Sequence, residues 1–246
     1  MDNFHTFEFN GKKLSELGAV IAQRPKIVIA THDIKLTEIP FLSGDIVTDG
    51  KRYKNISYKY NIRAVPTYCN MTVDEFSKRL AEWLDTGTYS IYRDTYNAGY
   101  FRYAIVTKID TIEAVFKDVY ETSITFSFAP FMYSDDGIKK INLSSANNSV
   151  TYALTNPEQW ESLPVIKITG SGNFTATING VQMTLTGVNN YIVIDKPNED
   201  VYDGGGSCNN KISALKLPSF SPGQNSVVIS SNNSFSVEIT PNWRRL

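Results

Sequence analysis

The last hundred or so residues are a series of short apolar runs, each stopped within a few positions by Gly, Asn or Pro. They read Leu163-Pro164-Val165-Ile166-Lys167-Ile168-Thr169-Gly170, Ile178-Asn179-Gly180, Ile192-Val193-Ile194-Asp195, Leu217-Pro218, Pro222-Gly223-Gln224-Asn225 and Ile239-Thr240-Pro241-Asn242-Trp243. Short strands at this spacing, with no helical period between them, fit a β-sandwich or jelly-roll. Ser171-Gly172 and Asn179-Gly180 mark tight turns, the second with the residue pair that a type I′ hairpin requires.

Charge divides the chain. Residues 1–135 hold 16 basic and 17 acidic side chains, whereas residues 136–246 hold 8 of each and use Ser, Thr, Asn and Gly instead. The step coincides with the turn-forming cluster Ser134-Asp135-Asp136-Gly137, which predicts two domains, 1–135 and 136–246. In the first, β-branched and aromatic residues in near alternation predict strands over 6–9, 26–29, 56–63, 100–109, 114–120 and 123–128. One helix interrupts them. Thr72 is placed to N-cap it, with Glu75 closing a capping box and Met71 stapling onto Phe76. Val73, Phe76, Leu80, Trp83 and Leu84 then share one face, and Gly87 ends the segment. The stripe predicts a helix covering a sheet, with Trp83 in the core.

Few enzyme chemistries suit this composition. His5 and His32 are the two histidines, and neither flanks a Gly-x-Ser-x-Gly turn or sits in a metal-ligand cluster. Gly204-Gly205-Gly206 lacks the Gly-Lys-Ser/Thr of a phosphate loop and reads as a loop tip. Asn198, Glu199, Asp200 and Asp203 offer oxygen ligands at a spacing that fits a solvated acidic turn better than a Ca²⁺ loop, and Glu158 with Glu161 discriminates nothing as a glycosidase pair. The expectation is a non-enzyme with no cofactor and no metal. Cys69 and Cys208 read as two reduced, semi-buried thiols, with a bridge between them the minor alternative. A formal charge of −1 gives no bulk reason to bind nucleic acid, and no apolar run approaches the roughly 20 residues that span a bilayer. The opening Met1-Asp2-Asn3-Phe4-His5 lacks the features of a secretory signal, so synthesis in a cytoplasm is expected.

Two features point to partners. Lys51-Arg52-Tyr53-Lys54, followed by Tyr58 and Tyr60, reads as a hairpin rim or subunit contact rather than a nucleic-acid patch. Fourteen Tyr and thirteen Phe residues exceed the needs of a small core, and Tyr is enriched where proteins meet.

In order and spacing the carboxy-terminal runs resemble the C-terminal domain of the siphophage distal tail proteins. The first part is similar to the same family in His5-Thr6-Phe7-Glu8-Phe9-Asn10-Gly11-Lys12, its opening strand and turn. Thr37-Glu38-Ile39-Pro40 with Gly44-Asp45 resembles the loop leading into its long hairpin, and Phe126-Ser127-Phe128-Ala129-Pro130-Phe131-Met132-Tyr133 its last N-domain strand. Two departures stand out. The Gly-x-x-Gly character after Ile-Pro is reduced to Phe41-Leu42-Ser43-Gly44, and no insertion bearing a carbohydrate-binding module interrupts the second part.

The resemblance implies a mainly β protein with an N-terminal tail-tube-like β-sandwich carrying one helix and a C-terminal galectin-like β-sandwich. It implies a structural hub of the phage tail tip or baseplate, located in the virion. That hub is a homohexameric ring joining the tail tube protein to a tail-associated lysin or tip protein and to receptor-binding proteins, with a lumen for DNA and no membrane insertion. The competing reading is a module that recognises host cell-wall polysaccharide. It is weakened because galectin-type binding uses a His-x-Asn-x-Arg run and both histidines lie outside the second part.

Overall fold

A computed structural model describes residues 4–64, 68–116, 119–146 and 148–246. These residues are mainly β, with one α-helix among them. The chain divides into two compact units, Met1–Met132 with Leu246, and Tyr133–Arg245.

Unit 1 contains β1 (Phe7–Phe9), β2 (Lys12–Lys13), β3 (Ala19–Gln23), β4 (His32–Thr37), β5 (Ile46–Tyr53), β6 (Ile56–Ala64), α1 (Val73–Leu84), β7 (Ser90–Asp94), β8 (Tyr100–Ile109), β9 (Glu113–Phe116) and β10 (Val119–Phe128). Its main sheet runs β2-β1-β7-β8-β10-β6-β3, with β9 on β10, and the pairs are antiparallel. Alternation sets which side is buried. On β10, Tyr120, Thr122, Ile124, Phe126 and Phe128 point inward, and on β6 Ile56, Tyr60, Ile62 and Ala64 do the same.

Helix α1 packs into this core. Thr72 accepts the Glu75 amide at 3.3 Å, but the Glu75 carboxylate turns to Arg79 at 2.6 Å instead of back to Thr72, so the cap is one-sided. Phe76, Leu80, Trp83 and Leu84 are buried, with Val73 and Met71 half-buried beside them. Gly87 takes a left-handed φ of 63° just past the helix. Trp83 is 5% exposed, stacks on Phe7 with ring centroids 5.6 Å apart, and donates its indole N–H to the Phe9 carbonyl at 2.8 Å.

Two expected strands are drawn differently. Lys26–Ile29 lies in an irregular stretch with Ile27 and Ile29 exposed. The Tyr58 hydroxyl bonds both the N–H and the C=O of Val28, which occupies the groups a ladder would use. The run 114–120 is split into β9 and β10, which pair as a hairpin with Val119 opposite Phe116; Lys117 and Asp118 lie outside the described residues.

Unit 2 begins within β11 (Met132–Ser134) and contains β12 (Ile141–Ser144), β13 (Ser149–Asn156), β14 (Val165–Thr169), β15 (Gly172–Ile178), β16 (Val181–Val188), β17 (Tyr191–Asp195), β18 (Asp200–Asp203), β19 (Gly206–Ser207), β20 (Ile212–Ala214), β21 (Gly223–Ser231), β22 (Ser236–Thr240) and β23 (Arg244–Arg245). One sheet runs β12-β22-β14-β17-β18-β19 and the other β13-β21-β15-β16-β20, while β11 pairs with β23. Ile166, Ile168, Ile192, Ile194, Val237 and Ile239 from the first sheet join a single apolar core with Phe174, Ile178, Met183, Leu185, Val227 and Ile229 from the second. Asn179 and Gly180, at φ 50° and 78°, form the two-residue link between β15 and β16, as a type I′ turn demands. A Cβ on Gly137 would meet the Trp243 backbone nitrogen at 2.4 Å. Cys69 and Cys208 are buried free thiols, one in each unit.

Two substitutions probe these cores separately. Trp83→Ala is expected to cost ~3–5 kcal/mol as a large-to-small core change, and Gly137→Ala about 1–3 kcal/mol by overpacking. Urea denaturation checks both, each variant lowering the midpoint with little change in slope.

Candidate assembly interface

Strands β4 and β5 form a sheet of their own within unit 1, with no ladder to the main sheet among the described residues. Thr37 pairs with Ile46, Leu36 with Val47, Lys35 with Thr48 and Ile34 with Asp49. Because directly opposed residues share a face, Ile34, Leu36 and Val47 line one side with Asp49 at its base, while Lys35, Thr37, Ile46 and Thr48 line the other. Leu36 and Val47 are each 61% exposed, and Ile39, Phe41 and Leu42 continue the apolar surface into the connecting loop 38–45. The loop Glu38 to Asp45 is therefore the tip of the hairpin and does not lead into it, because the strands it joins are the hairpin's own two arms. A two-stranded hairpin is marginally stable by itself, and contiguous exposed apolar surface of this kind is uncommon on a protein that stands alone.

Its base is held by charge. The register slips between His32 and Ile34, where β5 carries extra residues around Gly50 and Lys51. Lys51 sits at φ 54° with its amide on the Asp49 carboxylate at 2.8 Å, and a Cβ at Gly50 would press within 2.9 Å of the Asp33 carbonyl. Asp33 gathers Arg52, with Nε at 2.8 Å and Nη2 at 2.7 Å, and Lys54 at 3.3 Å. Hydrogen bonds from these two cations hold the Asp33 carboxyl below the ordinary carboxylate value. Tyr53 bonds the His32 ring through its hydroxyl at 2.8 Å and lies edge-on to Phe131.

The six residues expected at a contact thus separate. Lys51, Arg52, Tyr53 and Lys54 gather at the base of the hairpin, with Arg52 and Lys54 drawn onto Asp33. Tyr58 is half-buried beneath Val28. Tyr60 is a correction. It is 2% exposed, its hydroxyl donates to Asp94 at 3.2 Å, and burial pushes its pKa upward, so it belongs to the core. Ile34, Leu36, Val47 and Phe41 are not among the contact residues the sequence suggests, although the period-2 alternation over 34–37 carries their signal.

The other candidate sites are engaged internally. Asp200 accepts from Ser207 and Asn209, Asp203 from Lys211 and the Gly205 amide, and Glu199 pairs with Lys196, while Asn198 bonds Asp195. Glu161 accepts from Ser219. Gly204 and Gly205 form the turn between β18 and β19. Among the described residues no three His, Cys, Asp or Glu side chains are grouped to hold a metal.

No protein-family model and no curated protein matches the chain. Solved structures do. The Dit (gp 19.1) protein of phage SPP1, described as a paradigm of the hub adsorption apparatus in phages infecting Gram-positive bacteria, superposes with a TM-score of 0.69 at 12% identity, over 98% of this chain and 99% of that one. The fold is that of a Dit protein. A chain of the phage p2 baseplate in its activated conformation with Sr is also similar, with a TM-score of 0.50 at 9% identity over 95% of this chain and 97% of its own.

The Asp33 cluster sets a pH dependence. A carboxyl that titrates lower in the folded than in the unfolded chain contributes stability that is whole above the unfolded value, near 3.8, and is lost as pH falls through the folded one. Carbon NMR of the Asp33 carboxyl is expected to give a midpoint below 3.8, moved toward 3.8 by Arg52→Gln.

Proposed function

We propose that this protein is a structural hub of a phage tail tip or baseplate. It assembles as a hexameric ring through residues 1–135, and the sandwich of residues 136–246 faces outward as a socket for other tail proteins. The single observation that carries the reading is the β4–β5 hairpin, whose Ile34, Leu36 and Val47 face has no cover within unit 1. A second copy of the chain supplies that cover, and repetition of one such contact around a closed rotation makes a ring. The Dit fold, spanning nearly the whole chain, supports a hub role rather than catalysis. The ring joins the tail tube to a tail-associated lysin or tip protein and to receptor-binding proteins, its lumen passes DNA, and Lys51 to Lys54 with Tyr58 border the contact. A near-neutral chain suits such a lumen, since it gives passing phosphates little to hold.

Light scattering and negative-stain imaging test this. The wild-type chain is expected to form rings of six. Leu36→Asp with Val47→Asp is expected to leave it monomeric with an unchanged melting temperature, because both side chains are already exposed and their loss should weaken association by about 2–4 kcal/mol. Rings that persist in the double variant would remove the hairpin from the contact.

A further inference from the structure

A cavity of about 220 Å³ lies in unit 1 between residues 24–30 and the sheet face that carries Tyr58, Tyr92, Arg102 and Phe128, with Tyr96 and Phe101 at its sides. Tyr92 and Arg102 are directly opposed across β7 and β8. Tyr92 is 3% exposed and lies beside Tyr60, whose oxygen is free to accept the Tyr92 proton while its own goes to Asp94. The Nε–H of Arg102 is buried and unpartnered among the described residues, and the guanidinium lies 5.8 Å and 5.9 Å from the ring centroids of Tyr58 and Phe128. The cavity is smaller than a pocket for a drug-sized ligand, whereas a cavity of about 150 Å³ already holds a benzene molecule. Its size, aromatic walls and the idle Arg102 Nε–H suit one aromatic ring delivered with a carbonyl oxygen close behind it.

The same chain displays such a ring. Phe41, at the tip of the β4–β5 hairpin, is fully exposed and sits at φ 69°, a left-handed conformation that bulky residues rarely adopt. Strain of this kind persists where a side chain is being presented. The tip turn is closed by the Leu42 amide on the Ile39 carbonyl at 3.1 Å, which leaves the carbonyls of Pro40 and Phe41 beside the ring. The tip cannot serve its own cavity: Ala30 and Ile56, which line the cavity, flank the base of the hairpin, and six residues of β4 separate base from tip by roughly 20 Å. Charge matches as well. The loop 38–45 carries Glu38 and Asp45 and no basic residue, while Arg24 lines the cavity, stacked 4.9 Å over Tyr96, and Lys26 lies exposed nearby. The Asp94 carboxylate at the cavity is already engaged by Tyr60, Asn97 and the Tyr96 amide.

We propose that Phe41 of one copy seats in this cavity of the next copy. The ring enters against the Arg102 guanidinium and the aromatic walls, where a cation and an aromatic face attract, and a tip carbonyl takes the Arg102 Nε–H. Knob and hole lie at different places on one chain, so the contact is head-to-tail, the kind that closes into rings. The inference rests on the ring reading and names the contact that builds it.

The full-length chain with a photoreactive benzoyl-phenylalanine at position 41 is irradiated, and the adduct is mapped by mass spectrometry. Adducts between copies at residues 24–30 or 96–102 are expected. Phe41→Ala is expected to weaken association at least 30-fold with an unchanged melting temperature, and wild-type association is expected to fall between 50 and 500 mM NaCl. Adducts elsewhere, or Phe41→Ala rings as stable as wild type, overturn the knob-and-hole contact and leave the ring reading standing. A wild-type chain that stays monomeric at every concentration, and is absent as a ring from tail tips, overturns both.

Discussion

Unit 1 is organised around the burial of one aromatic cluster. Phe7 contacts Trp83, Tyr92, Tyr60 and Phe126 with ring centroids between 5.4 and 5.8 Å, and Phe126 in turn meets Phe9 and Tyr92. These residues come from α1 and from β1, β6, β7 and β10, elements far apart in sequence, so their packing is what holds the sheet order and the helix together. Trp83 adds direction to that burial, because its N–H bonds the Phe9 carbonyl and fixes how the helix lies on the edge of the sheet. Offset and edge-on arrangements of this kind add stabilisation beyond the area they bury.

With the cluster saturated internally, the apolar surface that remains outside it takes on meaning. The face of Ile34, Leu36 and Val47, the exposed Ile27 and Ile29, and Phe41 all belong to residues 24–47, on or beside one hairpin. Scattered apolar residues on a surface are ordinary, but a contiguous set on an element with no sheet partner is not. The Asp33 cluster explains how such an element stays extended: two cations on one carboxylate pin the bulge at its base. Exposed ion pairs add little to global stability, so the consequence of this one is local geometry.

Unit 2 shows the opposite economy. Its sheets bury their apolar faces against each other, and its turns are closed by Asn, Ser and Gly through local bonds, such as Asn179 to Asn225 at 2.7 Å and Asn233 to the Ser171 carbonyl at 2.9 Å. Apolar residues are spent inside, which leaves loops as the surface on offer. The acidic turn around Asp200 follows the same rule, each carboxylate being matched by a nearby donor.

The sequence by itself determined the elements whose side chains meet neighbours close along the chain. Helix α1 was legible through its cap and stripe, the Asn179-Gly180 turn through its need for two positive φ angles, and β6, β8 and β10 through alternation. Tertiary structure decided the rest. Lys26–Ile29 has the composition of a strand, but a strand exists only where a second backbone supplies the ladder, and the hydroxyl of Tyr58 takes that place. Tyr58 and Tyr60 sit two residues apart with the same side chain, and only the packing of β6 against β7 and β10 sends one beneath Val28 and the other into the core. The cavity between residues 24–30 and the sheet face of Tyr92 and Arg102 could not be read from the sequence at all, because it is made by residues that come together only when the strand order is set.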